Sequence, residues 1–224
     1  YDKIPFFVIS LIFGIIAIKA QTLSSAVKDL SDYSLIEKAI FPVYSSVFYI
    51  IKMFIPVNLS IFYPYPEQGN LNLFYWLSPI LLIFLIFLIL KFRKSNIYIV
   101  FGILFYLAII FPVSQIKPVG ETIASDRYFY ISSIGLFFIL GYFIDYLYNK
   151  FRSKYRIPFF AMLIITGISC FYLTFERTKD WKDTRTLWQS VIDVNPDLDK
   201  GYYGVGNVYY TENDYIKAKE YFLK

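Results

Sequence analysis

The 224-residue sequence contains no histidine and a single cysteine, Cys170. The lack of histidine excludes imidazole acid–base catalysis and histidine metal sites, and one thiol cannot build a zinc cluster. Cys170 has no partner for an internal disulfide, so cysteine usage says nothing about the redox compartment. Charge is scarce as well: 17% of residues are charged against 57% hydrophobic. That balance excludes an ordinary soluble domain of this length. Residues 1–175 hold 14 Lys/Arg against 8 Asp/Glu, and residues 176–224 hold 8 against 9. The tail therefore has no basic patch, which argues against nucleic acid as a partner. The basic excess lies in the apolar part, where loop charges set orientation in a membrane.

What the sequence does have is long apolar runs. About six spans are expected: Ile4–Ile18, Leu35–Ile55, Phe74–Leu90, Ile97–Phe111, Tyr128–Tyr148 and Ile157–Phe175. The run Phe74–Leu90 has no charge and, at about 1.5 Å per residue, crosses most of a bilayer core of about 30 Å. Leu35–Ile55 differs from the others in carrying Glu37, Lys38 and Lys52. It reads as partly interfacial or packed on other helices, with its lysines snorkelling to the headgroups. Two short loops are basic: Lys91, Arg93 and Lys94 in one, Lys150, Arg152, Lys154 and Arg156 in the other. The positive-inside rule places both in the cytoplasm. The loops Pro56–Leu73 and Pro112–Arg127, and the tail from Glu176, then lie outside. Tyrosines and phenylalanines gather at the span ends, as in aromatic belts. Asp145 sits near a cytoplasmic span end and reads as a partner of Lys150 or Arg152.

The chain divides into a transmembrane helical domain, 1–175, and an extracytoplasmic helical segment, 176–224. In the latter, Tyr202, Val205, Gly206, Tyr209, Tyr215, Ala218 and Phe222 fall in the spacing of a tetratricopeptide repeat (TPR). Such repeats pair two helices through small residues, here Gly206 and Ala218, and fill the gaps with large ones. Leu187-Trp188 packs from the preceding helix, which Asn195-Pro196 ends. A generic amphipathic hairpin has the same elements. One repeat cannot bury its own apolar face, so further repeats are expected in the intact protein, of which this sequence reads as a fragment. The fold class is all-α: a polytopic membrane domain followed by a helical hairpin.

The candidate chemistry is at Ser125-Asp126-Arg127-Tyr128, where an outer loop enters a span. An arginine beside aromatics at an interface can grip a phosphate with its planar fork. It can equally serve as an anchor, ion-paired to Asp126. The other outer loop, Pro56-Val57-Asn58-Leu59-Ser60 through Tyr63-Pro64, is stiffened by prolines, and Asn58-Leu59-Ser60 matches a glycosylation acceptor only formally.

These motifs stand in one order. Lys3-Ile4-Pro5-Phe6-Phe7 leads to Ala20-Gln21, then come Pro56–Ser60 and Tyr63-Pro64, then Asp126-Arg127-Tyr128 with Tyr130 and Gly135. Trp181, Leu187-Trp188 and Asn195-Pro196 precede the repeat. In this order the sequence resembles the C-terminal part of the membrane domain in the transmembrane and TPR-containing protein family. That family is in turn similar to protein O-mannosyltransferases and other GT-C glycosyltransferases. The resemblance implies a polytopic enzyme that takes a sugar from a polyprenyl-phosphate donor, with repeats on the lumenal or periplasmic side to bind an acceptor polypeptide or partner. It implies Arg127 for the lipid phosphate, with Asp126 and Tyr128 beside it. The family's catalytic acid is expected in an earlier outer loop that this sequence does not include. No catalytic residue is assigned, no metal ligand is identified, and a divalent cation requirement stays open. The alternative is a non-enzymatic, membrane-anchored TPR scaffold for protein–protein interaction.

Overall fold

The computed structural model describes residues 3–23, 29–118 and 120–224. Among these the architecture is all-α, with one two-stranded ribbon. The helices are α1 (Ile4–Leu23), α2 (Leu35–Phe54), α3 (Leu73–Phe92), α4 (Ile97–Ile110), α5 (Phe129–Lys150), α6 (Ser153–Thr178), α7 (Thr184–Val194), α8 (Asp199–Thr211) and α9 (Tyr215–Phe222). The chain forms two compact units, one of Tyr1–Ile55 with Tyr63–Leu136 and one of Pro56–Phe62 with Phe137–Lys224. Helix α5 contributes its first turns to the former and the rest to the latter.

Among the described residues, three helices are long and apolar enough to cross a membrane: Leu73–Phe92, Asp126–Lys150 and Lys154–Trp181. Ile4–Ala17 and Ile97–Val113 are shorter apolar helices. The expected span at Leu35–Ile55 is helical but does not join this set. Its three charges interrupt it, and one face is buried in protein through Ile40, Phe41, Ser45, Val47, Phe48 and Tyr49. By contrast α3 buries only Tyr75, Ser78 and Leu85.

Local chemistry fixes the helix starts. Ser34 and Glu37 form a reciprocal capping box at α2, satisfying two backbone donors that the helix leaves open. Asn72 accepts from the Phe74 N–H at 3.0 Å, and Asn96 from those of Tyr98 and Ile99 at 3.2 and 3.4 Å. Each asparagine thereby starts an apolar helix in which side-chain propensity alone sets no boundary.

The core of the first unit is aromatic. Phe41 meets Tyr33, Tyr65 and Tyr75 edge-on at ring-centre distances of 5.2, 5.3 and 6.3 Å, and Tyr44 stacks on Tyr75 at 3.8 Å. The tyrosine hydroxyls tie loops to this core. Tyr33 donates to the Pro66 carbonyl at 2.8 Å, Tyr65 to Gln115 Oε1 at 2.9 Å, and Tyr106 to the Ser46 carbonyl. Burial raises the pKa of the Tyr33 phenol, with the nearby carboxylates of Glu37 and Asp32 acting in the same direction. The two loops expected on one side of the membrane also pair directly. Strand β1 (Tyr63–Pro64) runs antiparallel to β2 (Thr122–Ala124), with Tyr63 opposite Ala124. Helix α5 approaches α4 so closely that a methyl group at Gly135 would collide with the Gly102 carbonyl.

In the second unit the α5–α6 turn is held by rings: Phe151 on Phe159 at 5.3 Å and Tyr148 on Phe160 at 5.4 Å. Asp145 accepts from Asn149 Nδ2 at 3.2 Å, whereas Lys150 lies over the Tyr146 ring. The expected pairing of Asp145 with Lys150 or Arg152 is thus replaced by an amide one helical turn away. Along α6, Thr166, Ser169 and Thr174 donate to carbonyls four residues back, which satisfies their hydroxyls within an apolar helix.

Helices α7, α8 and α9 pack in succession, with glycines at the contacts. A Cβ at Gly204 would enter the Trp188 ring, one at Gly201 would lie 2.7 Å from Ile192 Cγ1, and one at Gly206 would lie 2.5 Å from Phe222 Cε1. Val205 and Ala218 are buried. Gly206 was expected to face Ala218; its nearest neighbours are atoms of the Phe222 ring. Gly204→Ala should therefore destabilise this hairpin by about 1–3 kcal/mol by overpacking, despite alanine's higher helix propensity. Thermal unfolding followed by tryptophan fluorescence checks this. Gly167→Ala, where nothing lies within 4 Å, should leave the transition unchanged or raise it.

Asp183 and Asp214 cap α7 and α9. The Thr186 backbone N–H holds Asp183 below its ordinary carboxylate pKa, and hydrogen bonds from Lys217, side chain first and then backbone, do the same for Asp214. A depressed folded pKa stabilises the fold above the unfolded value of 3.8, and this contribution fades as pH falls through that value towards the folded one. Melting temperature should drop over this acid range. Asp183→Asn with Asp214→Asn, which keeps capping oxygens without a charge to titrate, should flatten the drop.

Candidate functional site

Residues Asp126–Tyr128 form a 3-10 turn that leads directly into α5. The turn is held from both sides. The Ser125 N–H donates to the Tyr49 hydroxyl at 2.9 Å, and the Tyr128 N–H donates back to the Ser125 carbonyl at 3.0 Å. Tyr49 is almost fully buried and stacks parallel to the ring of Phe129, with centres 5.8 Å apart. The Ser132 hydroxyl donates to the carbonyls of Tyr128 and Phe129 at 3.1 and 3.2 Å. One tyrosine from α2 thus fixes both the last loop residue and the first helical residue of α5.

The two charges of the turn separate. Asp126 turns to Tyr63, whose hydroxyl donates to Asp126 Oδ2 at 3.3 Å. The same carboxylate acts electrostatically on Lys52 of α2, whose ammonium lies 5.5 Å from the Phe48 ring and 5.9 Å from the Tyr63 ring. Arg127 goes the other way. Its guanidinium lies over the Tyr128 ring at 5.1 Å, and Nη2 donates to the Tyr128 hydroxyl at 3.3 Å. Arg127 is exposed, and among the described residues no carboxylate lies within ion-pair distance of it. Stacking on Tyr128 restricts the guanidinium while leaving donors of its planar fork open, the arrangement that suits an oxyanion such as a carboxylate or phosphate.

Sequence adjacency already placed Asp126, Arg127 and Tyr128 together. The structure adds Tyr49, Lys52 and Tyr63. The spacing Phe48, Tyr49, Lys52 puts a ring and a cation on neighbouring turns of one helix, but nothing local connects them to a turn some seventy residues on. Among the described residues no group of three or more Asp, Glu, Cys or His is placed to hold a metal ion.

The residues expected to pack the tail separate by burial. Val205, Gly206 and Ala218 are interior, Tyr202 and Tyr209 are half-buried, and Phe222 covers Gly206 while keeping one edge exposed. Tyr215 was expected to pack within the hairpin but is exposed, meeting the ring of Tyr210 at 5.5 Å. Tyr209 is held between Arg185, 4.6 Å from its ring, and Lys217 at 5.3 Å. Trp188, Gly201 and Gly204 complete the contact. Their signal in sequence was the pair of glycines spaced three apart on the face of α8 that meets α7.

The fold and this site define an all-α membrane protein with a helical tail. No protein-family model matches the chain, and no solved structure matches it. The chain is similar to protein O-mannosyl-transferase Tmtc1 of Drosophila melanogaster, with 23% identity over 125 residues, covering 54% of this chain and 14% of that protein. The match therefore spans about a seventh of the relative's length.

Tyr49→Phe should leave the Ser125 N–H without its partner, costing about 1–3 kcal/mol. Hydrogen exchange at the Ser125 amide should accelerate in this variant, while the amides of α8 keep their rates.

Proposed function

We propose that this chain is part of a membrane glycosyltransferase-like protein of the GT-C class. It takes a sugar from a polyprenyl-phosphate donor and passes it to an acceptor, a polypeptide in our reading. The observation that carries the proposal is the exposed Arg127 fork, set on Tyr128 and without a carboxylate at ion-pair distance among the described residues, while Asp126 accepts from the Tyr63 hydroxyl. An exposed guanidinium at the mouth of a membrane span, with fork donors open, is placed at headgroup depth, and a lipid phosphate is its fitting partner. The similarity to a protein O-mannosyl-transferase supports the same direction. In this reading residues 1–175 form the membrane domain and residues 176–224 begin a TPR domain that engages the acceptor or a partner. The basic loops at Lys94 and Lys154 are cytoplasmic. Gly120 and Gly201 lie on the lumenal or periplasmic side, facing the same compartment as Arg127.

The test is sugar transfer from polyprenyl-phosphate sugars by the full-length protein. Arg127→Lys keeps the charge but loses the planar fork, so both it and Arg127→Ala should lower kcat/KM, by about 10–100-fold for the loss of a hydrogen bond to a charged group. Unchanged values in variants that insert normally would leave Arg127 as an interfacial anchor.

A further inference from the structure

We infer that α2 lies in the plane of the membrane, on the surface that carries Asn70 and Arg127, and does not cross the bilayer. Its partner is the lipid interface of that leaflet. A helix of 20 residues is about 30 Å long, long enough to span, so length alone does not decide this.

The loop after α2 decides it. Tyr63 packs on Phe48 near the end of α2, with ring centres 4.8 Å apart. Six residues later the loop is at the other end of the helix. The Gly69 N–H donates to Glu37 Oε1 at 2.8 Å, Tyr33 bonds the Pro66 carbonyl, and Gln68 reaches the Asp32 carbonyl. From Glu37 to Phe48 is about 16 Å along a helix, and six extended steps cover about 20 Å. The loop therefore runs back along α2 for more than half its length.

If α2 crossed the bilayer, this loop would cross beside it. Its exposed stretch at Glu67, Gln68, Gly69 and Asn70 has no regular structure. Irregular, lipid-exposed backbone is not found within the hydrocarbon core, because its polar groups have no partners there.

The helix ends point to the same placement. Helix α3 begins at Leu73, four residues after Gly69. The α3–α4 and α4–α5 connections then put the start of α3, the end of α4 and the start of α5 on one surface. The middle of α2 touches all three: Tyr44 stacks on Tyr75, the Ser46 carbonyl accepts from Tyr106, and Tyr49 stacks on Phe129. Pro42, Val43 and Ser46 also line an apolar cleft of about 270 Å³ with Leu82, Leu107 and Ile110. Helix α2 thus rests across the end of α4 and the start of α5 and against the first half of α3. At its own ends Leu35 and Ile36, and Phe54 and Ile55, stand exposed, apolar side chains placed to enter the leaflet, as in an interfacial helix. The charges of α2 are then explained. Glu37 is satisfied by the N–H groups of Gly69 and Ser34, and neither it nor Lys52 has to enter hydrocarbon.

The experiment uses the full-length protein in sealed membranes, with every native cysteine, Cys170 among them, replaced by serine as background and an impermeant maleimide as probe. Ser31→Cys and Val57→Cys, the latter just beyond the far end of α2 and exposed, flank the helix, and Lys94→Cys marks the opposite surface; labelling after detergent solubilisation normalises each site. With α2 in the plane, Ser31→Cys and Val57→Cys are labelled from one side and Lys94→Cys from the other, in whichever absolute orientation the protein inserts. Labelling of either Val57→Cys or Ser31→Cys from the side of Lys94→Cys would overturn the inference. The readout does not depend on sugar transfer, so it stands or falls separately from the proposed activity.

Discussion

Tyr49 is the residue on which the candidate site depends. Its hydroxyl accepts the Ser125 N–H, its ring stacks on Phe129, and it belongs to α2. A tyrosine suits this position because it supplies a large apolar face and a polar tip together. The face packs in the core beside Phe48, and the tip reaches a backbone donor that would otherwise be lost to water or left open. The same division of labour recurs at Tyr33, Tyr65 and Tyr106. Each has its ring in the aromatic cluster and its hydroxyl on a loop or helix carbonyl or an amide.

From this pinning follows the separation of charges in the turn. With Ser125 fixed, Asp126 faces Tyr63, and Arg127 is left on Tyr128. Were Asp126 and Arg127 paired with each other, the turn would be electrostatically closed and the guanidinium would have no call for a ligand. The ribbon between Tyr63–Pro64 and Thr122–Ala124 reinforces the arrangement, since it brings both loops to one place by backbone pairing. Helix α2 binds the same loops from beneath. It is therefore a structural platform for the site whether or not sugar transfer is its use.

The tail uses a different device. In α8 three glycines within six residues let a tryptophan, an isoleucine and a phenylalanine ring close on the helix backbone. Close packing here comes from removing side chains on one helix rather than from interlocking them. The outer faces of this hairpin keep Tyr203, Tyr210, Ile216 and Leu223 exposed, and charged pairs such as Arg185 with Glu212 run along its edge.

By itself the sequence determined the helical class, the apolar runs Phe74–Leu90, Tyr128–Tyr148 and Ile157–Phe175 that lie in the three long apolar helices, and the place of Arg127 where a loop enters a span. These follow from local facts: an unbroken apolar run and an arginine at its edge. Tertiary structure decided what the charges of α2 are for. Glu37 and Lys52 look like defects in a spanning helix until the loop from Tyr63 to Gly69 is laid along them. It also decided that Asp126 would face Tyr63 rather than its neighbour Arg127, and that the Phe222 ring would close on Gly206. The physical reason is the same in each case. Spacing along the chain predicts which side chains share a face, but which backbone donor or ring meets that face depends on contacts between residues far apart in sequence, and the local pattern carries no record of them.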